Sequence, residues 1–138
     1  MVEAAILTPL LLLLTLGIAE FATLFYVYLA LENGASQASR YGVTGQLIAG
    51  ETREDSIKDA MRKATPTLTL EDGMFAFYYM PLNGPANWLA GTGGPNDISK
   101  VTINYTWSFM TPLIRPFFGP DGKILLTVES AMKNESFE

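Results

Sequence analysis

The 138-residue chain contains no cysteine and no histidine. Without thiols it can hold neither disulfides nor the thiolate ligands that structural zinc sites favour. Without imidazole it lacks the commonest general base, and no Ser/Lys or paired-carboxylate arrangement at a recognisable spacing takes its place. The expectation is a protein that is not an enzyme and carries no cofactor. Basic residues are also scarce: 9 Lys and Arg stand against 14 Asp and Glu, a net charge of -5 with no basic cluster, so nucleic acid is not an expected partner. Asp72, Asp97 and Asp121 lie in no EF-hand pattern. The glycine-rich stretch from Asn83 to Asp97 lacks the Lys-Ser/Thr of a phosphate cradle, which leaves a flexible loop carrying Trp88. The first basic side chain is Arg40, so Met1-Val2-Glu3 has no basic n-region of the kind that opens a secretory signal. A short basic leader upstream, removed from the mature protein, is the expectation. If Met1 is instead the initiator, the positive-inside rule would hold the C-terminal part in the cytoplasm.

What the chain has is a long hydrophobic run. Glu3 is followed by apolar residues from Ala4 to Ala19, then by Glu20, then by a second apolar run from Phe21 to Leu31. As a helix at ~1.5 Å per residue, Ala4 to Leu31 would extend ~42 Å, more than the ~30 Å hydrocarbon core of a bilayer. An ionised acid at a bilayer centre costs ~2.5–3.5 kcal/mol on the lenient insertion scale, so Glu20 is expected to face protein rather than lipid. Glu3 admits two compatible roles. Its carboxylate sets axial register against the amine of a neighbouring copy, or it complements the positive end of the helix dipole. Pro9 removes one helical hydrogen bond, predicting a bend near Thr8, with Thr8 and Thr15 able to rebond carbonyls. Past an aromatic band at Phe21, Phe25, Tyr26 and Tyr28, small residues recur every fourth position at Ala30, Gly34, Ala38 and Gly42. That ridge permits close approach by another helix or by the chain's own C-terminal domain, and Arg40 and Tyr41 are expected to anchor helix to domain.

The remaining pattern is α+β. The first helix should end between Gly45 and Ile48, giving a stalk over residues 1–46 and a small domain over 47–138. Thr52 with Asp55 predicts the cap of a second helix, closed by Thr65 and Pro66. Strands are expected over Thr67–Leu70, Met74–Met80, Lys100–Phe109 and Lys123–Met132, making a small antiparallel sheet. In the third, Val101, Ile103, Tyr105, Trp107 and Phe109 alternate with Thr102, Asn104, Thr106 and Ser108, so the first set should form the core face. Trp88 either closes the sheet edge or offers a surface contact, and Phe117 and Phe118 are candidates to bury an interface. Asn104 and Asn134 head glycosylation sequons if the host glycosylates.

Several stretches together resemble the TadE-like pilin family. They are Val-Glu at 2–3, Pro9, Leu10 to Leu14, Gly-Ile-Ala-Glu-Phe at 17–21, Ala-Ser-Gln-Ala-Ser-Arg-Tyr-Gly at 35–42 and, at the far end, Lys-Ile-Leu-Leu-Thr-Val-Glu-Ser-Ala-Met-Lys-Asn-Glu at 123–135. The resemblance implies a leader cut by a prepilin peptidase, passage through the inner membrane with a pilus assembly machinery, and polymerisation with itself or other pilins. The product would be an extracellular type IV-related (Tad) filament with a surface-attachment role. Glu3, Pro9 and Glu20 would then serve filament assembly and register. Glu3 departs from the usual prepilin pattern, in which the glutamate stands fifth after the cut; either the cut is shifted or the numbering does not begin at the mature terminus. A different class of function, a singly anchored membrane protein whose domain binds a ligand or partner, is distinguished by the surroundings of Glu20. A homopolymer would bury it against neighbouring helices, and an isolated anchor would leave it near water.

Overall fold

The computed structural model describes residues 2–136. The hydrophobic run forms a single helix, α1 (Val2–Val43), with Glu3 in its first turn and Arg40 in its last, each complementing the dipole end it occupies. Helix α1 continues through Pro9 without interruption. The Thr8 hydroxyl donates to Ala4 O at 2.7 Å, and that of Thr15 to Leu11 O at 3.0 Å. The helix stops at Val43, slightly before the expected end, where Thr44 Oγ1 donates to Tyr41 O and Gly45 adopts φ 65°. A left-handed glycine just past the last turn is a common helix terminator.

Helix α2 (Arg53–Ala64) begins at the expected cap: Thr52 Oγ1 accepts from the Asp55 N–H, and its own hydroxyl donates to the Asp55 carboxylate at 2.6 Å. It buries Ser56, Ile57 and Met61 and ends where Thr65 N–H reaches back to Met61 O. Thr67–Leu70 is a turn and coil, not the expected strand. Leu68 N–H closes a turn onto Thr65 O, and Arg62 Nε donates to Leu70 O at 3.1 Å, so these groups are spent on α2 rather than on a sheet.

The sheet has four strands: β1 (Phe75–Met80), β2 (Leu89–Ala90), β3 (Ile98–Ser108) and β4 (Lys123–Lys133), in the order β2-β1-β3-β4. Strand β1 runs antiparallel to both neighbours, pairing Phe75 with Ile103 and Met80 with Ile98 on one side and Tyr78 with Ala90 on the other. Side-chain bonds between β3 and β4 run in opposite chain directions, Thr102 with Glu129 and Asn104 with Thr127, as antiparallel strands require. The two-residue β2 is too short to leave a periodic signal in the sequence.

By compactness the chain divides into two units that interleave along the sequence rather than at 46/47. One comprises α1 as far as Tyr28 with Thr106–Leu126; the other comprises Leu29–Tyr105 with the chain from Thr127 onward. In the second unit Leu31, Ile57, Met61, Val101, Ile103 and Val128 are buried, and Tyr105 is half-buried. In the first, Phe109 and Ile114 are buried and Trp107 is half-buried.

Candidate functional site

In the first unit, α1 presents bare hydrocarbon. Every described residue from Val2 to Thr15 is exposed, among them Ile6, Leu7, Leu10, Leu11 and Leu14. The helix is long and apolar enough to cross a membrane. A concave apolar surface lies between its turns at Ala4, Leu7, Leu11 and Leu14. Glu3 is exposed at the start of this rod and makes no ion pair with another described residue.

Higher on the same helix the connection between β3 and β4 folds against α1 as a clasp. Phe109 stacks on Phe118 at 4.2 Å between centroids, and Phe21 meets both rings edge-on at 6.3 and 6.0 Å. Edge-to-face and offset-stacked rings match the positive ring edge to the negative ring face. Glu20, 4% exposed, accepts the Thr111 N–H through Oε1. Its Oε2 is buried without a hydrogen-bond partner among the described residues. Glu20 is thus covered by its own chain, from a residue 91 positions away. Arg115 Nε closes the clasp by donating to Phe109 O at 2.7 Å. Gly122 is required where the clasp returns to β4, since at φ 56° a Cβ would lie 2.6 Å from that of Arg115. Leu13, Gly17, Phe21, Ile114, Phe117 and Phe118 line an apolar hollow of about 250 Å³, with Phe117 73% exposed at its rim.

In the second unit the small-residue ridge meets α2. A Cβ on Gly34 would lie 2.5 Å from Thr65 Cγ2, and one on Gly42 would lie 3.1 Å from Ile57 Cδ1. Ala38 is buried and Ala30 half-buried. Arg40 is exposed and Tyr41 half-buried; both line an open polar groove of about 590 Å³ with Asn33, Gln37 and Lys63. The bonds that tie the C-terminal part of α1 to the rest of this unit come from other residues. Ser39 Oγ donates to Ser130 O at 3.2 Å, Glu135 N–H to Val43 O at 3.1 Å, and Arg53 spans Gly42 O and Gly93 O at 2.7 and 2.6 Å. Burial lowers the Arg53 pKa, an effect opposed by the Asp97 charge.

Asn134, 2% exposed, gathers the same neighbourhood. Its Nδ2 donates to Gly94 O and Thr92 O, and its Oδ1 accepts from Ser99 Oγ at 2.7 Å. That sequon amide is committed to the interior, whereas Asn104 is exposed with its Oδ1 accepting from Thr127. Neither Arg53 nor Asn134 stood out in the sequence, where one reads as an ordinary helix-face charge and the other as a sequon. Trp88 is 41% exposed, with the Lys100 ammonium 4.8 Å from its ring centroid and 5.3 Å from that of Tyr78; Lys100 also pairs with Glu129 at 3.2 Å. Asp72 is held by Arg62 at 2.6 Å, and Asp97 accepts the Gly94 and Leu82 N–H groups.

Residues 1–40 match a family model described as TadE-like protein. The match ends before the closing segment at 123–135. No curated protein and no solved structure matches the chain. The matched segment and the apolar helix together fit a membrane-anchored protein related to the Tad pilus.

Proposed function

From the premise that the chain is TadE-like over residues 1–40, we propose that it is a pilin: a structural subunit that sits in the inner membrane before assembly and then polymerises through α1 into an extracellular Tad-type filament. The observation that carries this reading is the bare rod from Val2 to Thr15, with Glu3 at its start. Each large apolar side chain withdrawn from water contributes ~1.5–3 kcal/mol. A bilayer supplies that burial first, and neighbouring α1 helices supply it in the filament. Glu3 sets the axial register by pairing with an amine of a neighbouring copy, and Pro9, which removes one helical bond, lets the rod bend as subunits leave the membrane. The partners are further copies, other pilins, the assembly machinery and a prepilin peptidase; surface attachment is the filament's role.

The test is Glu3→Leu. It makes the rod more apolar and is expected to leave membrane insertion intact while abolishing or shortening filaments, read by cell fractionation and negative-stain microscopy. Filaments of normal length and number from the variant would reduce Glu3 to a helix-end charge and remove the register role.

A further inference from the structure

The clasp over residues 109–118 lies beside the apolar rod, along the turns from Phe21 down to Leu13, rather than beyond its end. At ~1.5 Å per residue the rod from Val2 to Phe21 measures ~30 Å, the thickness of a hydrocarbon core. A span bounded at its near end by the Glu3 carboxylate uses nearly all of that length. The turns from Leu13 to Phe21, ~12 Å of helix, then lie in the far leaflet, and whatever packs beside them lies at the same depth.

We infer that residues 109–118 form a membrane-inserted wedge: in the anchored protein Met110, Leu113 and Phe117 lie in the acyl region of the leaflet through which α1 leaves the bilayer. The inference rests on the membrane-anchored reading and adds a second lipid-contacting element to it.

Three independent features suit this segment to lipid. Its large outward side chains are apolar, with Met110 65%, Leu113 53% and Phe117 73% exposed, and Phe117 shares an apolar hollow with Leu13, Gly17 and Phe21 of the rod. It contains no acid, and its one charge, Arg115, has Nε bonded to Phe109 O on a long stem able to reach the headgroups. Several of its backbone N–H groups are satisfied, as irregular chain at membrane depth requires. Phe109 N–H donates to Gly122 O, Ile114 and Arg115 to Thr111 O, and Phe117 to Ile114 O, while Pro112 and Pro116 have no N–H to satisfy. The Thr111 N–H goes to Glu20. An acid that would be costly facing lipid thus lies under the wedge and supplies an acceptor where water is excluded.

The absence of native cysteine makes the depth measurable on the full chain. Leu113→Cys and Phe117→Cys, both at exposed positions, are spin-labelled and placed one copy per phosphatidylcholine/phosphatidylglycerol nanodisc. Oxygen accessibility is then compared with that of a water-soluble nickel chelate. Leu7→Cys reports the rod, and Leu82→Cys, in the loop after β1, gives an aqueous reference. The expected result is an oxygen-to-nickel ratio several-fold above the Leu82 reference at both wedge positions, corresponding to a depth of ~5–10 Å below the headgroup boundary. A lipid-like ratio at Leu7 with water-like ratios at 113 and 117 would overturn the wedge while leaving the anchor intact. A water-like ratio at Leu7 would overturn the anchored premise and the wedge with it. Protection at 113 and 117 that arises only when several copies share a disc would assign this surface to a second copy and overturn the lipid assignment.

Discussion

Gly34→Ala adds one methyl group at the tightest point of the ridge, and the structure sets the sign of its effect. On helical propensity alone the change should stabilise by ~1 kcal/mol. The new Cβ, however, would lie 2.5 Å from Thr65 Cγ2 and 3.2 Å from Met61 Cε. Met61 Cε is the end of a flexible chain and can withdraw. Thr65 is 1% exposed, is branched at Cβ, and has its hydroxyl bonded to Met61 O at 2.9 Å, so turning Cγ2 away breaks that bond. Overpacking costs ~1–3 kcal/mol and a lost buried hydrogen bond ~0.5–1.5 kcal/mol. Set against the propensity gain, the net effect is a destabilisation of about 1–3 kcal/mol. Thermal or chemical denaturation of the full chain in detergent, followed by circular dichroism, measures it. Two glycines of the same helix calibrate the result. Gly42→Ala meets only the Ile57 side chain, at 3.1 Å from Cδ1 and 3.5 Å from Cγ1, and should be close to neutral, and Gly17→Ala meets nothing within 4 Å and should not destabilise. Thr65→Ser removes Cγ2 and keeps the hydroxyl, so pairing it with Gly34→Ala should restore most of the loss, a coupling read from the double-mutant cycle. If Gly34→Ala were as stable as Gly42→Ala, or if Thr65→Ser gave no rescue, the proposed close approach of α1 and α2 at Gly34 would be refuted.

Arg53→Met removes both donors to Gly42 O and Gly93 O and should destabilise the second unit by ~1.5–3 kcal/mol or more. Arg53→Lys, lacking the planar fork, should fall between Met and the native residue in urea denaturation. Phe109→Ala empties a fully buried ring site and should cost ~3–5 kcal/mol, whereas Phe117→Ala at an exposed position should stay within ~0.5 kcal/mol of the native stability; the same denaturation assay separates them. The Asp55 carboxyl is held below its ordinary range by the Thr52 hydroxyl and by Lys58. A depressed carboxyl favours the fold above its unfolded pKa of ~3.9 and ceases to do so as pH falls through the folded value. The start of α2 should therefore loosen below about pH 4. Asp55→Asn should flatten that part of an acid titration followed by amide exchange at Asp55–Asp59.

The helices and the longer strands were legible in the sequence because their signals are local. Uninterrupted apolar residues specify α1, Thr52 with Asp55 specifies the start of α2, and a period of two runs through β3 from Ile103 to Ser108, where inward and outward residues alternate. The four-residue spacing of Gly34, Ala38 and Gly42 likewise announced a close contact. Which surface would fill it was left open, because a ridge of small residues has the same form whether the partner is α2 or a second chain. Only the tertiary structure brought Met61 and Thr65 to Gly34, and Ile57 to Gly42. It also converted Thr67–Leu70 from a plausible strand into a turn, since Arg62 takes the Leu70 carbonyl. The same is true of the polar contacts. Glu20 with Thr111, Arg53 with Gly93 and Asn134 with Gly94 each join one side chain to one distant backbone group. Such a bond depends on where the chain returns in space and recurs at no interval, so it leaves no period to read. The amino-acid order determined that the chain has an apolar rod with a carboxylate set into it; the fold decided that this carboxylate is covered by the chain's own clasp, because a return of the chain 91 residues later brings the Thr111 N–H to it.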